Sequence, residues 1–149
     1  EITTRLVGSE MCIRDRPTVD FTGKRILVAE DNSLNMEIIQ FFLEDLGCIV
    51  VPVANGKQAL EQFRTSPEGY FDLILMDVMM PVMDGLEAAN AIRCLPRSDS
   101  RRVPIVALSA NAFDEDIKRS LASGMNAHLS KPVEPSKLTE TLGRMLASR

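Results

Sequence analysis

Residues 70–85 read YFDLILMDVMMPVMDG, and this stretch decides which fold the chain can adopt. Residues 73–76 are apolar without alternation, which is typical of a strand buried on both faces of a sheet. Asp77 follows immediately, and Pro81 with Asp84-Gly85 then indicates a loop. Open α/β sheets bind their ligands at the carboxyl ends of their strands. The pattern therefore predicts that the Asp77 carboxylate lies where such a fold carries its chemistry.

Length and charge narrow the class of protein. The chain has 149 residues, is 45% hydrophobic and carries a formal net charge of −4, which suits one domain with a full core. The apolar runs are only strand-sized and no secretion signal is recognisable, so we expect a cytoplasmic protein without a membrane span. The negative charge argues against a nucleic-acid partner, and the basic cluster Arg97, Arg101 and Arg102 is expected to be a solvated loop.

Residues 1–20, EITTRLVGSEMCIRDRPTVD, show no regular hydrophobic period and resemble read-through sequence more than a structural element. We therefore expect residues 1–22 to be a tail outside the domain, disordered or of foreign origin, and residues 23–149 to form the folded domain.

The predicted strand at residues 25–29 repeats the pattern of the strand at residues 73–76. Residues 25–29 (RILVA) end at Glu30-Asp31, so this strand also delivers carboxylates to its carboxyl end. Asn32 and Ser33 then cap a predicted helix at 34–46, which Gly47 ends. Further strands are predicted at 48–53, 103–108 and 126–129, and further helices at 57–63, 86–95, 112–121 and 135–146.

Five strands alternating with five helices predict a flavodoxin-like, doubly wound (βα)5 α/β fold with a five-stranded parallel sheet covered on both faces. Pro52 removes a ladder donor from the second strand and so favours an edge position, which fits the strand order 2-1-3-4-5. In that order the first and third strands are neighbours at the switch point. Glu30, Asp31 and Asp77 should therefore converge.

The first helix is more apolar than one buried face requires. One core stripe, joined by Leu43, consists of Asn35, Ile39, Phe42 and Leu46. A second apolar stripe beside it consists of Leu34, Ile38 and Phe41. Two interpretations stay open for the second stripe. It belongs either to a deeply buried helix or to a partner-docking surface next to the carboxylates.

Three carboxylates at one sheet edge repel each other unless a cation lies among them. Mg²⁺ prefers oxygen ligands, and Mn²⁺ is an alternative, so a divalent metal site is predicted. Lys131 and Ser109 follow or end neighbouring strands and can offer an ammonium and a hydroxyl to a phosphoryl group. Each residue alone has an ordinary structural role, but together they suit phosphoryl transfer to an aspartate nucleophile.

Four motifs resemble the receiver domain of two-component response regulators over about residues 24–146. They are AEDN at 29–32, DLILMDVMMPVMDG at 72–85, PIVALSAN at 104–111 and LSKPV at 129–133. The resemblance implies Asp77 as phosphoacceptor, Asp31 as a direct Mg²⁺ ligand, Glu30 as an outer acidic partner, the Met79 carbonyl as a further ligand, Ser109 as the switch hydroxyl and Lys131 as a phosphate contact. It also implies a cis bond before Pro132.

The segments ALSANAF at 107–113 and GMNAHLSKP at 124–132 are most similar to receivers of hybrid sensor histidine kinases. The implied function is a phosphorelay receiver that accepts a phosphoryl group from a histidine kinase or a histidine phosphotransfer protein, with no other enzymatic activity than its own phosphorylation and slow dephosphorylation. A homodimer through the last helix region is also implied. His128 occupies a position where many members carry an aromatic switch residue, and both a switching role and simple packing stay open for it.

Three alternatives remain beside this interpretation. A receiver-like binding module would use the fold for protein contacts without phosphorylation. An aspartate-nucleophile phosphatase would want a second acid two residues after Asp77, where Met79 stands. A flavin or dinucleotide site would want a glycine-rich first turn, which residues 31–33 do not provide.

Overall fold

The structure is a computed structural model that describes residues 21–80, 82–109, 118, 121–131 and 133–147. Its elements, in chain order, are β1 (Arg25–Ala29), α1 (Ser33–Asp45), β2 (Ile49–Val53), α2 (Gly56–Thr65), β3 (Leu73–Asp77), α3 (Gly85–Arg93), β4 (Ile105–Ser109), β5 (Ala127–Ser130) and α4 (Pro135–Ala147). The tail at 1–20, most of the predicted helix at 112–121 and the bond to Pro132 lie outside the described residues. No helix in the described part of the chain is both long and apolar enough to cross a membrane.

The five strands form one parallel sheet in the order β2-β1-β3-β4-β5. This confirms the predicted flavodoxin-like order, and the strand that contains Pro52 lies at an edge. The register aligns the carboxyl ends, because Ala29 pairs with Met76 and Ser109 pairs with Ser130. The residues that follow β1, β3, β4 and β5 therefore meet at the same edge of the sheet.

Each face of the sheet carries its own apolar cluster. Along β1 and β3, Leu27, Ile74 and their alternate neighbours pack toward α2 and α3, and the intervening residues pack toward α1 and α4. β3 is buried along its whole length, as expected for a central strand of a covered parallel sheet. The two layers hold the carboxyl ends of the central strands in fixed positions.

The first helix begins as its sequence predicts and exposes the second stripe. The Asn32 side chain accepts a hydrogen bond from the Asn35 N–H at 3.0 Å and so caps α1. Leu34 and Phe41 are 63% and 68% exposed, and Ile38 is 41% exposed. The interpretation of α1 as a deeply buried helix is therefore wrong, because only one of its faces meets the sheet.

The prediction of a solvated basic loop is correct for Arg101 and Arg102 but wrong for Arg97. The Arg97 guanidinium lies 4.7 Å from the centre of the Phe63 ring and donates to both oxygens of Asp99, at 2.9 and 3.0 Å. It also donates to the carbonyl oxygens of Phe63 and Arg64 at the end of α2. An aromatic ring and carbonyl oxygens at the end of a helix, both distant in sequence, attract this cation into a partly buried position.

Candidate functional site

Three carboxylates meet at the carboxyl edge of the sheet. Glu30 follows β1, Asp77 ends β3, and oxygens of Glu30, Asp31 and Asp77 all lie within 4.8 Å of one another. Glu30 and Asp77 are each only 3% exposed, whereas Asp31 is exposed at the mouth of the site. The predicted convergence of residues from two neighbouring strands is therefore present in the fold.

Lys131 joins the two buried carboxylates. Its Nζ donates to Asp77 Oδ2 at 2.7 Å and to Glu30 Oε2 and Oε1 at 2.8 and 3.2 Å. The lysine side chain is 20% exposed, so both ion pairs are largely shielded from water. Its backbone N–H donates to the Ser109 carbonyl oxygen at 2.8 Å, which extends the β4–β5 pairing by one step. This pairing aims the lysine side chain across the sheet edge toward β1 and β3.

The three groups shift one another's protonation. Burial raises the pKa of Asp77, the nearby Glu30 also raises it and Lys131 lowers it, and together these effects bring the pKa to about 6. Burial alone would raise the pKa of Glu30, but its interactions with Asp77 and Lys131 outweigh burial and lower it. Burial alone would lower the pKa of Lys131, but hydrogen bonds to Asp77 and Glu30 raise it. Asp77 is therefore the carboxylate that most readily takes up a proton.

Asn35 is a site residue that the sequence pattern assigned to the core. Its side-chain amide donates to Glu30 Oε1 at 3.5 Å, and the Asn32 N–H donates to the same oxygen at 3.4 Å. These contacts hold the Glu30 carboxylate toward α1. The signal in the sequence was an amide, rather than an apolar side chain, in the first turn after the acidic pair.

An open cleft of about 310 Å³ leads to these groups. It is lined by Glu30, Asp31, Asn32, Asn35, Asp77, Met79 and Lys131. Met79 is 76% exposed, and its N–H donates to Asp77 Oδ1 at 3.2 Å. The apolar Met79 side chain therefore lies at the entrance, and its backbone lies beside the carboxylate.

Ser109 and His128 occupy positions behind the cleft. Ser109 ends β4, is 6% exposed and pairs with Ser130, so it lies at the same sheet edge as Asp77. His128 is half-buried on β5, opposite Ala107, and its buried Nε2 has no hydrogen-bond partner within the described part of the chain. The structure places Ser109 at the site edge and His128 further along the edge strand.

The exposed stripe of α1 begins beside the cleft. A groove of about 140 Å³ is lined by Asn35, Ile38, Ile39, Lys131 and Val133. Ile38 therefore shares a groove with the lysine that binds Asp77, and Phe41 lies about one turn further along the same helix. Apolar surface next to an acidic site is the arrangement that the second interpretation of this stripe required.

The charges at the site are not balanced by the protein alone. Three carboxylates contribute −3 and Lys131 contributes +1, which leaves −2 when all are ionised. Oxygen donors clustered within 4.8 Å are the ligands that hard divalent cations prefer. The arrangement therefore offers a carboxylate nucleophile, an ammonium donor and a set of oxygens for a dication.

Comparison with known proteins identifies a family. Residues 26–143 match the response regulator receiver domain. The chain is 40% identical over 145 residues to the sensor histidine kinase GacS of Pseudomonas protegens, and 35% identical over 125 residues to hybrid signal transduction histidine kinase I of Dictyostelium discoideum. These alignments cover 95% and 83% of this chain but only 15% and 7% of those relatives. The chain thus spans a small part of the curated proteins that it matches.

Two solved structures are similar along most of the chain. The receiver domain of a sensor histidine kinase from Pseudomonas aeruginosa PAO1, with a magnesium ion coordinated in its active site cleft, gives a TM-score of 0.76 at 40% identity and covers 85% of this chain and 99% of its own. A chain in the co-crystal structure of a Saccharomyces cerevisiae histidine phosphotransfer protein and the receiver domain of its downstream response regulator gives a TM-score of 0.75 at 30% identity, over 85% of this chain and 91% of that one.

Proposed function

Because this chain belongs to the response regulator receiver family, a family of signalling modules, we propose that it takes part in a phosphorelay by accepting a phosphoryl group on Asp77. The observation that carries this proposal is the gathering of Glu30, Asp77 and Lys131 within 3.2 Å contacts. Burying two carboxylates around one lysine carries a large desolvation cost, which functional sites commonly bear. A phosphoryl acceptor needs such a set, because charge must be stabilised on both sides of the transfer.

The acidic cluster suits Mg²⁺, and Mn²⁺ has the same ligand preference. Asp31 and Asp77 would be direct ligands, the Met79 carbonyl a further ligand, and Glu30 an outer acidic partner. When bound, the dication would supply positive charge to the phosphoryl oxygens. The related receiver from Pseudomonas aeruginosa, which holds magnesium in its active site cleft, supports magnesium as the metal.

The chain's own residues would carry the transfer. An ionised Asp77 oxygen attacks the phosphorus of a phosphohistidine, an O–P bond forms, and the N–P bond breaks with its electron pair returning to the imidazole. Lys131 Nζ, 2.7 Å from Asp77 Oδ2, donates to a phosphoryl oxygen and offsets the added negative charge. Ser109 at the end of β4 would supply the switch hydroxyl. His128 on β5 would be the second switch residue, at the position where many family members carry an aromatic side chain.

Phosphorylation by a small donor tests this function. Incubation with acetyl phosphate and Mg²⁺ is expected to add one hydroxylamine-labile phosphoryl group, observed by intact-protein mass spectrometry. Asp77→Asn should abolish the modification, and Asp45→Asn, which changes an exposed residue of α1, should leave it unchanged. An unmodified wild-type chain would favour the alternative of a binding module that is not phosphorylated.

The exposed stripe of α1 is the proposed docking surface for the phosphodonor. Leu34, Ile38 and Phe41 are exposed beside the cleft, and apolar side chains at helical spacing suit the face of a helical partner. The co-crystal of a similar receiver with a histidine phosphotransfer protein supports a histidine-bearing helical bundle, on a kinase or a phosphotransfer protein, as the partner.

Substitution of the stripe should slow transfer without changing the chemistry of the site. In Ile38→Ala and Phe41→Ala, we expect phosphotransfer from a phosphorylated histidine phosphotransfer protein to slow by about tenfold or more, because buried apolar contacts carry much of an interface. Phosphorylation by acetyl phosphate should keep its wild-type rate. Ile49→Ala, which changes an exposed apolar residue of β2, is the control, and unchanged transfer in all three variants would contradict the docking surface.

We also propose where the chain acts, what it catalyses and whether it self-associates. The chain would act in the cytoplasm and would have no enzymatic activity beyond its own phosphorylation and slow dephosphorylation. Self-association through the last helix region is a further prediction, which sedimentation of the phosphorylated and unphosphorylated chain would test. No nucleic acid or membrane partner is proposed.

A further inference from the structure

The start of α2 lies against the loop that follows Asp77. The Gly56 N–H donates to the Met83 carbonyl oxygen at 3.0 Å. A Cβ at position 56 would collide with that oxygen and would lie 2.9 Å from both the Asp84 carbonyl oxygen and the Ala88 Cβ. No other residue type fits at position 56 without moving the loop.

Backbone conformation does not explain the glycine. Gly56 is the first residue of α2 and is not among the residues with positive φ. Helix propensity does not favour glycine either. The close approach of α2 to residues 83 and 84 is what requires glycine here.

The loop between Asp77 and α3 is fixed at both ends. At its start, the Val78 N–H donates to the Leu108 carbonyl oxygen at 2.9 Å and the Val78 carbonyl accepts from the Gly85 N–H at 3.0 Å. At its far end, Met83 rests on Gly56. Between these anchors Val82 has a φ of 70°, a conformation that β-branched residues rarely adopt. Such strain persists only where the surroundings hold the chain in place.

We infer that Gly56 is a positioning residue for the magnesium site, an inference that rests on the proposed function. By letting α2 hold Met83, Gly56 restricts where residues 78–80 and 82 can lie and thereby positions the Met79 backbone. That backbone donates to Asp77 Oδ1 at 3.2 Å and carries the proposed carbonyl ligand. A side chain at position 56 pushes Met83 outward and moves Met79 relative to Asp77.

The comparison of Gly56→Ala with Gly143→Ala tests the inference. Gly143 lies within α4, and a Cβ there would have its nearest neighbour at 3.8 Å, the Phe21 ring, so this variant controls for adding a methyl group to a helix. In Gly56→Ala, Mg²⁺ affinity measured by calorimetry should fall by about tenfold, the range seen when groups that orient metal ligands are removed. In Gly143→Ala it should be unchanged.

A second readout needs no metal. In the metal-free protein, the amide resonances of Val78 and Met79 should shift in Gly56→Ala and stay in place in Gly143→Ala. A purely structural role would lower the unfolding midpoint without moving these resonances or the affinity of the folded protein. If Gly56→Ala does not fold, the double variant Gly56→Ala/Ala88→Gly removes the contact with the Ala88 Cβ, retains the collision with Met83, and is measured in the same way.

The outcomes separate the inference from the function on which it rests. Wild-type protein that binds Mg²⁺, together with a folded Gly56 variant of equal affinity or unmoved Met79 resonances, would overturn the role of Gly56 alone. Wild-type protein that does not bind Mg²⁺ would overturn the proposed metal site and this role together.

Discussion

The ionised form of Asp77, which a nucleophile requires, destabilises the folded protein when no metal is bound. Burial and the nearby Glu30 raise its pKa to about 6 against the opposing effect of Lys131, so at neutral pH the ionised carboxylate is less favourable in the folded than in the unfolded chain. Because the folded pKa is raised, the stability associated with this group is lost as pH rises from about 4 to above 6. Functional sites commonly hold such unfavourable charges.

Asp77→Asn should therefore stabilise the metal-free protein. At pH 7.5 we expect a gain of about 1 to 2 kcal/mol in the free energy of unfolding, which should shrink toward zero below about pH 4. Urea denaturation at several pH values measures this change, with Glu37→Gln on the exposed face of α1 as the control. Mg²⁺ should raise the unfolding midpoint of the wild type much more than that of Asp77→Asn. An Asn variant less stable than the wild type at pH 7.5 would contradict this account of the site.

Among the connecting segments, the one between α3 and β4 binds the carboxyl-terminal end of α2 through Arg97. Arg97 is 10% exposed by its side chain and binds the Phe63 ring, two helix-end carbonyls and Asp99. Asp99 in turn accepts from the Gly69 N–H at 2.8 Å. One arginine therefore joins the end of α2 to the two connecting segments on either side of β3 and α3.

Arg97→Ala should destabilise the fold by about 2 to 3 kcal/mol, because it leaves Asp99 buried without its cation and removes the guanidinium from the Phe63 ring and from two carbonyl oxygens at the end of α2. Arg101→Ala, which changes an exposed neighbour, should alter stability by less than about 0.5 kcal/mol. Chemical denaturation of both variants at neutral pH measures the difference. Equal stability of the two variants would show that the Arg97 contacts contribute nothing.

The pKa of Asp99 determines how the contacts among Arg97, Asp99 and Gly69 respond to acid. Burial alone would raise the pKa of Asp99, but hydrogen bonds from Gly69 and Arg97 outweigh it and hold the pKa below its ordinary value. The ionised form therefore stabilises the fold above about pH 4, and that stabilisation is lost as pH falls further. Asp99→Asn should be less stable than the wild type at pH 7 and should lose less stability on acidification. Unfolding midpoints of both proteins at pH 7 and below about pH 4 would measure this difference.

At the scale of the whole molecule, a residue that precedes the first strand contributes to the core. Phe21 packs against the cluster between the sheet and α4, and the Lys24 N–H donates to its carbonyl oxygen at 3.1 Å. A chain that begins at Phe21 should match the thermal stability of the full chain, whereas Phe21→Ala should lose about 1 to 2 kcal/mol for a partly buried ring. Thermal unfolding of both proteins measures this, and a marked loss on removing residues 1–20 would show that the tail contributes to the fold.

Local patterns predicted the sheet better than they predicted the contacts at its edge. The bounds of β1 and the edge position of β2 follow from the apolar run at 25–29 and from Pro52, because burial on two faces and a missing donor act within one strand. Arg97 was misassigned because its partner Phe63 is brought to it by the packing of separate elements. Asn35 was misassigned because helical periodicity does not show that the turn after β1 brings its amide to Glu30. The bridging of two carboxylates by Lys131 depends in the same way on the register of three strands, which no single window of sequence contains.

The ion pairs of Lys131 join residues separated by 101 and 54 positions, which has a consequence during synthesis. A ribosome releases Asp77 well before Lys131, so the nascent chain carries its phosphoacceptor for some time without the amine that completes the pocket. Signalling competence should therefore arise only when the final strand has emerged and docked at the far side of the sheet. A truncated translation product that ends before residue 131 would contain Asp77 but should not accept a phosphoryl group in the phosphorelay.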